Sequence, residues 1–242
     1  MTTQQKTLHI LQLYPNDMNI YGDNGNVLVL QRRLEWYGYT PVIHLYNPGD
    51  TLPTTIDIVV GGGGQDSGQY VVQEDLHRIS SRLQDMADND TPMLVICGLY
   101  QLFGHFFETR EGVRINGIGI LDVKTYGKSE RLIGNIVTDT DDFGTIIGYE
   151  NHSGQTYLGP HATPLGTVRL GAGNNLEDGH EGARYRRVIG SYLHGSLLPK
   201  NPTIADYLIR HAAINRYGDF SAMPIDDRLT ERARQQAMKR PR

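Results

Sequence analysis

Residues 93–104 read Met93-Leu94-Val95-Ile96-Cys97-Gly98-Leu99-Tyr100-Gln101-Leu102-Phe103-Gly104. The first four are apolar, follow a proline and have the length of a buried strand. The residues from Gly98 onward are compatible with a helix, so the pattern predicts a strand that turns sharply into a helix at Cys97. A cysteine at such a junction lies near a helix N-terminus, where the helix dipole and unpaired backbone N–H groups favour the thiolate over the thiol.

Cys97 has two interpretations at this point. It is the only cysteine among 242 residues, which excludes an intramolecular disulfide and suits a reducing compartment. Because the thiolate is the reactive form, the position suits a catalytic nucleophile. A lone cysteine in a strand is more commonly a small buried hydrophobic residue. The local pattern leaves both interpretations open.

The composition narrows the class of protein. With 23 basic residues against 27 acidic ones, the chain is nearly neutral and gives no reason to expect binding to nucleic acid or to an anionic membrane. Residues 1–6 lack the apolar core of a signal peptide, and no stretch approaches the roughly 18 apolar residues of a membrane span. We therefore expect a cytoplasmic protein without a transmembrane segment.

The first half of the chain alternates between two hydrophobic periods. Strand-like runs are predicted at residues 8–13, 41–45, 56–60 and 93–96, and helical spacing at residues 27–36 and 71–86. Strands that alternate with helices indicate βαβ units. The fold class is therefore predicted as α/β, with a central, mostly parallel sheet flanked by helices.

The second half is richer in glycine and β-branched residues. Short antiparallel strands are predicted at residues 117–124, 132–137 and 145–149, followed by a strand at residues 186–193 and a helix at residues 202–215. No Pro- or Ser-rich linker divides the chain, so residues 1–242 are predicted to form one domain with a core at about 8–215. The basic segment at about 229–242 is interpreted as a frayed, solvated tail.

A cysteine nucleophile needs a base, and His194 is the best candidate. It follows the predicted strand that ends at Leu193 and precedes Gly195. In a parallel α/β sheet, catalytic groups gather beyond the carboxyl ends of the strands. His194 and Cys97 are therefore expected to meet although 97 positions separate them.

An oxyanion site needs backbone N–H groups that point at one spot. The glycines at positions 61–64 directly follow a strand, and they lack the lysine and Ser/Thr of a P-loop and the spacing of a dinucleotide fingerprint. Gly62 and Gly63 are the candidate donors in this loop, with Gly98 beside the nucleophile as the other donor. The glycine run is equally compatible with a flexible turn.

At this point the sequence resembles a known family. Residues 97–104 are similar to the nucleophile turn of class I glutamine amidotransferases, and residues 191–195 to the histidine strand of their cobyric acid synthase-type branch. Three further stretches narrow the resemblance to the glutaminase subunits of lipid II isoglutaminyl synthases, and these stretches are residues 14–26, 130–135 and 148–152. Within the first, Asn19-Ile20-Tyr21-Gly22-Asp23 is the most specific.

The resemblance implies roles for individual residues. Cys97 attacks the side-chain amide of L-glutamine to give a glutamyl thioester and ammonia, and His194 activates the thiol and protonates the departing amine. The amides of Gly98 and of the 61–64 loop hold the oxyanion. Arg131 binds the substrate glutamine, in keeping with the bidentate grip of a guanidinium on a carboxylate. Gln101 is a weaker candidate for the same pocket.

The resemblance also implies a partner. The chain has no nucleotide-binding motif and no metal site is predicted in it, so ATP and Mg²⁺ are expected on a separate Mur-ligase-like subunit in a heterodimer. That subunit would use the ammonia to amidate the D-glutamate α-carboxylate of lipid II, at the inner face of the membrane. Two alternatives stay open: a glutaminase subunit of another cobyric acid synthase-type amidotransferase, and a non-catalytic binding subunit.

The chain departs from the family pattern in two places. The positions two before and two after the cysteine are usually small, and here they are Val95 and Leu99. Many class I enzymes also carry a glutamate two residues after the histidine, where this chain has Ser196. The carboxylate that orients His194 is therefore expected from the partner chain, or Cys97 and His194 act as a dyad. Glu150 and Asp66 are the candidates within this chain.

Overall fold

The computed structural model describes residues 6–240. Its strands and helices, in chain order, are β1 Thr7–Leu13, α1 Asn24–Trp36, β2 Thr40–Tyr46, β3 Ile58–Gly61, α2 Asp66–Asp88, β4 Met93–Ile96, α3 Gly98–Phe103, β5 Phe106–Glu108, β6 Arg114–Asn116, β7 Val123–Thr140, β8 Gly144–Leu158, β9 Gly166–Leu170, β10 His180–Glu181, β11 Ala183–Tyr185, β12 Val188–Ser191, α4 Leu197–Lys200, α5 Pro202–Tyr217 and α6 Arg228–Ala237.

The first sheet has the strand order β11-β12-β4-β3-β1-β2. All neighbouring strands in it are parallel except β11 and β12, which are antiparallel. The central strands β3, β4 and β12 are buried along their whole length. Continuous apolar runs such as Met93–Ile96 are what a parallel sheet covered on both faces requires. The predicted α/β class is confirmed.

The second sheet is the antiparallel extension. Strands β7 and β8 form a long hairpin with an irregularity in register between Gly127 and Leu132, and the sheet continues in the order β10-β9-β7-β5-β6. Its strand pairs are antiparallel apart from β5 and β7. This hairpin matters for the site because Tyr149 on β8 pairs with His194 beyond the end of β12.

One predicted strand is wrong over most of its length. Residues 117–122 form no strand, and β7 begins only at Val123. The backbone there lies against the end of α3, since a Cβ added at Gly117 would lie 2.1 Å from the carbonyl oxygen of Gly104. Glycine at position 117 therefore allows two backbone segments to approach closely. The sequence pattern predicts a β-rich segment at this place instead.

The interpretation of the basic C-terminal segment as a frayed tail is also wrong for most of its residues. Helix α6 occupies Arg228–Ala237, while positions 241 and 242 lie outside the described residues. Arg234 anchors the helix by donating to the carbonyl oxygens of Lys200, at 2.8 Å, and Thr145, at 2.7 Å. The basic composition did not reveal this role, although most side chains of the helix are exposed as expected for a solvated segment.

No helix between residues 6 and 240 combines the length and the apolar character needed to cross a membrane.

Candidate active site

The backbone turns sharply at Cys97, between β4 and α3. Cys97 has a φ of 49° and a ψ of −104°, a conformation that costs energy for any residue with a Cβ. Its own N–H donates to the carbonyl oxygen of Ser191 at 2.9 Å. The strained turn places the side chain at the carboxyl end of the sheet, as in the nucleophile elbows of hydrolases.

Glycines on neighbouring strands make room for the bulky residues around this turn. A Cβ at Gly61 would lie 2.2 Å from Cδ1 of Leu99, and a Cβ at Gly190 would lie 2.2 Å from the ring of Tyr100. The elbow therefore forms with a large residue two positions after the cysteine. The family pattern expects a small residue on the turn itself. Here the space is provided instead by glycines on the neighbouring strands.

His194 and Cys97 are brought together as predicted. Strands β4 and β12 are direct parallel neighbours, so both residues lie beyond carboxyl ends at the same edge. A Cβ at Gly63 would lie 2.7 Å from Cε1 of His194 and 3.0 Å from Cβ of Cys97. Only glycine fits between them. The N–H of His194 donates to the carbonyl oxygen of Tyr149 at 2.8 Å, which fixes the residue against β8.

Asp23 places a carboxylate of this same chain beside His194. Its Oδ2 atom lies 3.4 Å from Nδ1 of His194, and the expectation that a partner chain supplies the orienting carboxylate stays a prediction. Neither candidate named from the sequence takes this position. Glu150 accepts hydrogen bonds from the amides of Ala172 and Gly173, and Asp66 begins helix α2.

The signal for Asp23 was present in the sequence. It ends the stretch Asn19-Ile20-Tyr21-Gly22-Asp23, which carries the most specific part of the resemblance. The contact with His194 is an ion pair rather than an aligned hydrogen bond, since neither ring nitrogen of His194 has a hydrogen-bond partner among residues 6–240. Such contacts are often long in an unliganded site and tighten when substrate binds.

The electrostatics of His194 favour the imidazolium. Burial by itself lowers the pKa of His194, but the neighbouring Cys97 and Asp23 raise it to about 10. His194 can therefore hold a proton beside Cys97 at neutral pH and donate it to a leaving group.

The glycine loop is held in place by Asp23 and by the loop that precedes α1. The N–H of Gly63 donates to Oδ2 of Asp23 at 2.8 Å, and its carbonyl accepts from Ile20 at 3.0 Å. The carbonyl of Gly62 accepts from Leu99 at 3.4 Å. The predicted donors Gly62 and Gly63 thus lie beside the nucleophile, but the Gly63 amide already has an acceptor.

Gly64 also lies against the nucleophile turn. It lines the cavity next to Cys97, and a Cβ on Gly98 would lie 3.0 Å from the Gly64 amide nitrogen. Gly98 is the first residue of α3, where the helix itself provides no acceptor for an N–H group. The Gly64 amide therefore lies close to the start of α3, beside the cysteine.

A cavity of about 340 Å³ opens in front of these residues. Its wall combines the nucleophile with polar side chains from the loop before α1, the start of α2 and strands β7 and β8, namely Tyr21, Gln65, Asp66, Ser67, Cys97, Gln101, Arg131, Asn151, His152 and Ser153. The nucleophile and a guanidinium thus face one polar cavity, which is the arrangement that an amino-acid substrate needs.

Arg131 lies at the exposed side of this cavity. Its Nε donates to Oδ1 of Asn151 at 2.6 Å, and its Nη2 donates to the hydroxyl of Tyr21 at 3.0 Å. The predicted substrate-binding arginine is therefore in the cavity wall, oriented by two side chains that the sequence analysis did not single out.

Gln101 is part of the buried floor of the cavity. Its Oε1 accepts from Gln69 at 2.6 Å and its Nε2 donates to the hydroxyl of Tyr192 at 3.0 Å. Both ends of the side chain are thus held by the protein. The ring of Tyr192 in turn stacks on His152, with 3.6 Å between ring centroids, and burial lowers the pKa of His152 to about 3. His152 is therefore a neutral wall residue.

Comparison with known proteins agrees with this geometry. The sequence profile of the CobB/CobQ-like glutamine amidotransferase domain matches residues 9–202. The chain belongs to the CobB/CobQ-like glutamine amidotransferase family. The matched range contains the nucleophile, the histidine, Asp23, Arg131 and the glycine loop of the amidotransferase.

Two relatives match the amidotransferase over most of its length. The lipid II isoglutaminyl synthase (glutamine-hydrolyzing) subunit GatD of Staphylococcus aureus is 37% identical over 94% of this chain and 95% of the relative. The subunit of the same name from Streptococcus pneumoniae is 38% identical over 90% of this chain and 85% of the relative. These identities place the amidotransferase among GatD-like subunits, as the motif resemblance indicated.

A solved structure shows the same fold. PurLQS from Thermotoga maritima aligns with a TM-score of 0.58 over 85% of the amidotransferase and 100% of the matching chain, at 14% sequence identity. At that identity the likeness concerns the fold alone.

Proposed function

We propose that this chain is the glutaminase subunit of a lipid II isoglutaminyl synthase, hydrolysing L-glutamine and passing ammonia to a ligase partner. The observation that carries the proposal is the buried grouping of Cys97, His194 and Asp23 at one end of a polar cavity that also holds Arg131. The two GatD relatives support the choice of complex.

The first half of the reaction forms a thioester. The Cys97 thiolate attacks the side-chain carboxamide carbon of glutamine, and the carbonyl oxygen becomes an oxyanion. The His194 imidazolium then gives its proton to the amide nitrogen, the carbon–nitrogen bond breaks, and ammonia leaves. The raised pKa of His194 suits this step, because the proton is held until the leaving group needs it.

The second half releases glutamate. Once the thioester has formed, Cys97 carries no charge, so the main influence that raises the pKa of His194 is removed. The neutral imidazole then takes a proton from water, the hydroxide attacks the thioester carbon, and the thiolate leaves. Asp23 keeps the imidazole oriented through both steps, as the carboxylate of a catalytic triad does.

The oxyanion is held by the amides of Gly98 and Gly64 in this proposal. Gly98 was expected from the sequence, and Gly64 is added to the expected donors Gly62 and Gly63, of which the Gly63 amide already donates to Asp23. Two donors of this kind are worth several kcal/mol of transition-state stabilisation. Arg131 binds the α-carboxylate of glutamine and sets the distance from that group to the reacting amide.

The ammonia would be used by a separate subunit. Amide formation on a carboxylate needs activation by ATP, and the proposed partner is a Mur-ligase-like chain that holds ATP and Mg²⁺ and amidates the D-glutamate α-carboxylate of lipid II. The protein would then act at the cytoplasmic face of the membrane as part of a heterodimer.

The test begins with the purified chain and an electrophilic glutamine analogue, with and without excess L-glutamine. Peptide mass spectrometry should find an adduct on Cys97 that glutamine suppresses. With the ligase partner present, wild type should convert lipid II and glutamine to amidated lipid II, whereas Cys97→Ala should do so only with added ammonium. Absence of the adduct with and without the partner would contradict glutaminase activity. Transfer to a different acceptor only would assign the chain to another amidotransferase of this family.

A further inference from the structure

Tyr21 connects the two functional ends of the cavity. Its hydroxyl accepts a hydrogen bond from Nη2 of Arg131 at 3.0 Å. Its ring lies edge-on against the imidazole of His194, with 4.5 Å between ring centroids and 60° between the planes. Tyr21 also lines the cavity itself. One side chain therefore contacts both the substrate-binding arginine and the catalytic base.

The backbone around Tyr21 is anchored on both sides. The N–H of Ile20 donates to the carbonyl of Gly63 at 3.0 Å. The carbonyl of Gly22 accepts from the hydroxyl of Ser196 at 2.8 Å. Ser196 stands where many class I enzymes have a glutamate, and in this chain it holds the loop that carries Tyr21 and Asp23. The position thus still serves His194, but through the backbone of another segment.

These contacts suit a coupling role. The edge of one aromatic ring against the face of another is a favoured arrangement. The hydroxyl, at the far end of the same rigid side chain, limits the directions in which the Arg131 guanidinium can point. Because the tyrosine side chain has few rotatable bonds, a change at one end is transmitted to the other.

We propose that Tyr21 is a positioning residue that orients Arg131 for the substrate carboxylate and holds His194 in line with Cys97. The proposal rests on the proposed glutaminase function and assigns the role of the Asn19–Asp23 stretch. The hydroxyl and the ring have separable effects. The hydroxyl acts through substrate binding and the ring acts through proton transfer.

The test compares Tyr21→Phe with Tyr21→Leu in glutamine hydrolysis, and uses Tyr70→Phe as the matched control. Tyr70 is a half-exposed tyrosine of α2 that does not line the cavity. Loss of the hydroxyl should raise the KM for glutamine roughly tenfold and leave kcat within about twofold, as expected for one hydrogen bond to a charged group. Tyr21→Leu should in addition lower kcat at least roughly tenfold and shift its pH profile, because the ring no longer contacts the imidazole.

A double variant keeps the proposal falsifiable. If Tyr21 acts on substrate through Arg131, adding Tyr21→Phe to Arg131→Gln should raise KM no further. Additive effects would overturn the proposal, as would a Tyr21→Phe variant that matches Tyr70→Phe in both parameters. Thermal unfolding midpoints of all variants separate these outcomes from loss of folding. If wild type hydrolyses no glutamine in the presence of its partner, the proposed function is refuted. That result is distinct from a failure of the Tyr21 proposal, which is judged by comparing variants with an active wild type.

Discussion

The Oδ2 atom of Asp23 lies 3.4 Å from the Nδ1 atom of His194, and both side chains are 1% exposed. The same oxygen accepts the N–H of Gly63 at 2.8 Å. One buried carboxylate thus contacts His194 and also holds the glycine loop that passes between His194 and Cys97. Because both contacts use a single atom, the position of the base and the shape of the loop are tied together.

Replacing Asp23 by Asn should reduce kcat by up to roughly 10⁴-fold, the loss seen when the orienting carboxylate of a catalytic triad is replaced by its amide. The charge of Asp23 contributes to the raised pKa of His194, so its loss should also lower the pH at which the imidazolium deprotonates. The rate of Cys97 alkylation by iodoacetamide, followed from pH 6 to 10, measures this directly. Asp85→Asn, at an exposed site on α2, is the control. An alkylation profile equal to that of the control would show that Asp23 has no electrostatic role.

Replacing Arg131 by Gln should raise the KM for glutamine by roughly 10–100-fold, because the α-carboxylate loses a charge-assisted partner. Arg131→Lys should recover only part of the loss, since an ammonium group cannot make the paired contacts of a guanidinium. Alkylation of Cys97 by iodoacetamide, which has no carboxylate, should stay unchanged. Arg110→Gln, at an exposed position, serves as the control. Equal losses for glutamine and iodoacetamide would mean that Arg131 supports the nucleophile rather than the substrate.

A Gly63→Ala substitution should separate the catalytic pair. The added Cβ would lie 2.7 Å from His194 and 3.0 Å from Cys97, so one of the two side chains must move. We expect at least a hundredfold loss of glutamine hydrolysis, in line with the effect of small displacements in an active site. Gly38→Ala has a positive φ but open space around the added atom and controls for backbone strain. Activity as high as in that control would show that the pair tolerates displacement.

Glu181 gives a prediction about stability and pH. The side chain is fully buried, and its Oε1 accepts from the hydroxyl of Ser191 at 2.7 Å and the N–H of Tyr192 at 2.8 Å. Burial raises the pKa of Glu181 from 4.5 to about 7. Between those values the folded chain holds a proton that the unfolded chain has released, so its contribution to stability is complete below pH 4.5 and is lost as the pH rises to 7.

Glu181→Gln should remove this dependence, because the amide oxygen can accept both hydrogen bonds without carrying a charge. The variant should therefore match wild type near pH 5 and exceed it above pH 7, the difference growing by about 1.4 kcal/mol for each pH unit between the two pKa values. Urea unfolding of wild type, Glu181→Gln and the exposed-site control Glu74→Gln at pH 5 and pH 8.5 measures the effect. A variant less stable than wild type at pH 8.5 would show that the folded chain prefers the charged carboxylate.

The strands and helices of the first sheet were predictable because burial on both faces imposes continuous apolar runs. Residues 93–96 were predicted as a strand with the bounds that the structure shows, and the helix at 202–215 extends by only two residues. The glycine-rich stretch from 117 to 122 was mistaken for a strand. Gly117 allows close contact with the backbone of Gly104. Such a contact produces no periodic pattern in the sequence.

The sequence by itself predicted that Cys97 and His194 lie together and that a mostly parallel sheet brings them there. Those inferences rest on local chemistry, namely a cysteine at a strand-to-helix turn and a histidine at a strand end. Only the tertiary structure decided which carboxylate faces His194, which glycine amide faces the cavity and what Tyr21 contacts. Each of these depends on atoms a few ångströms apart that belong to segments distant in the chain. Asp23 and His194 meet because the loop before α1 folds over the end of β12. No local sequence pattern encodes that contact between distant segments.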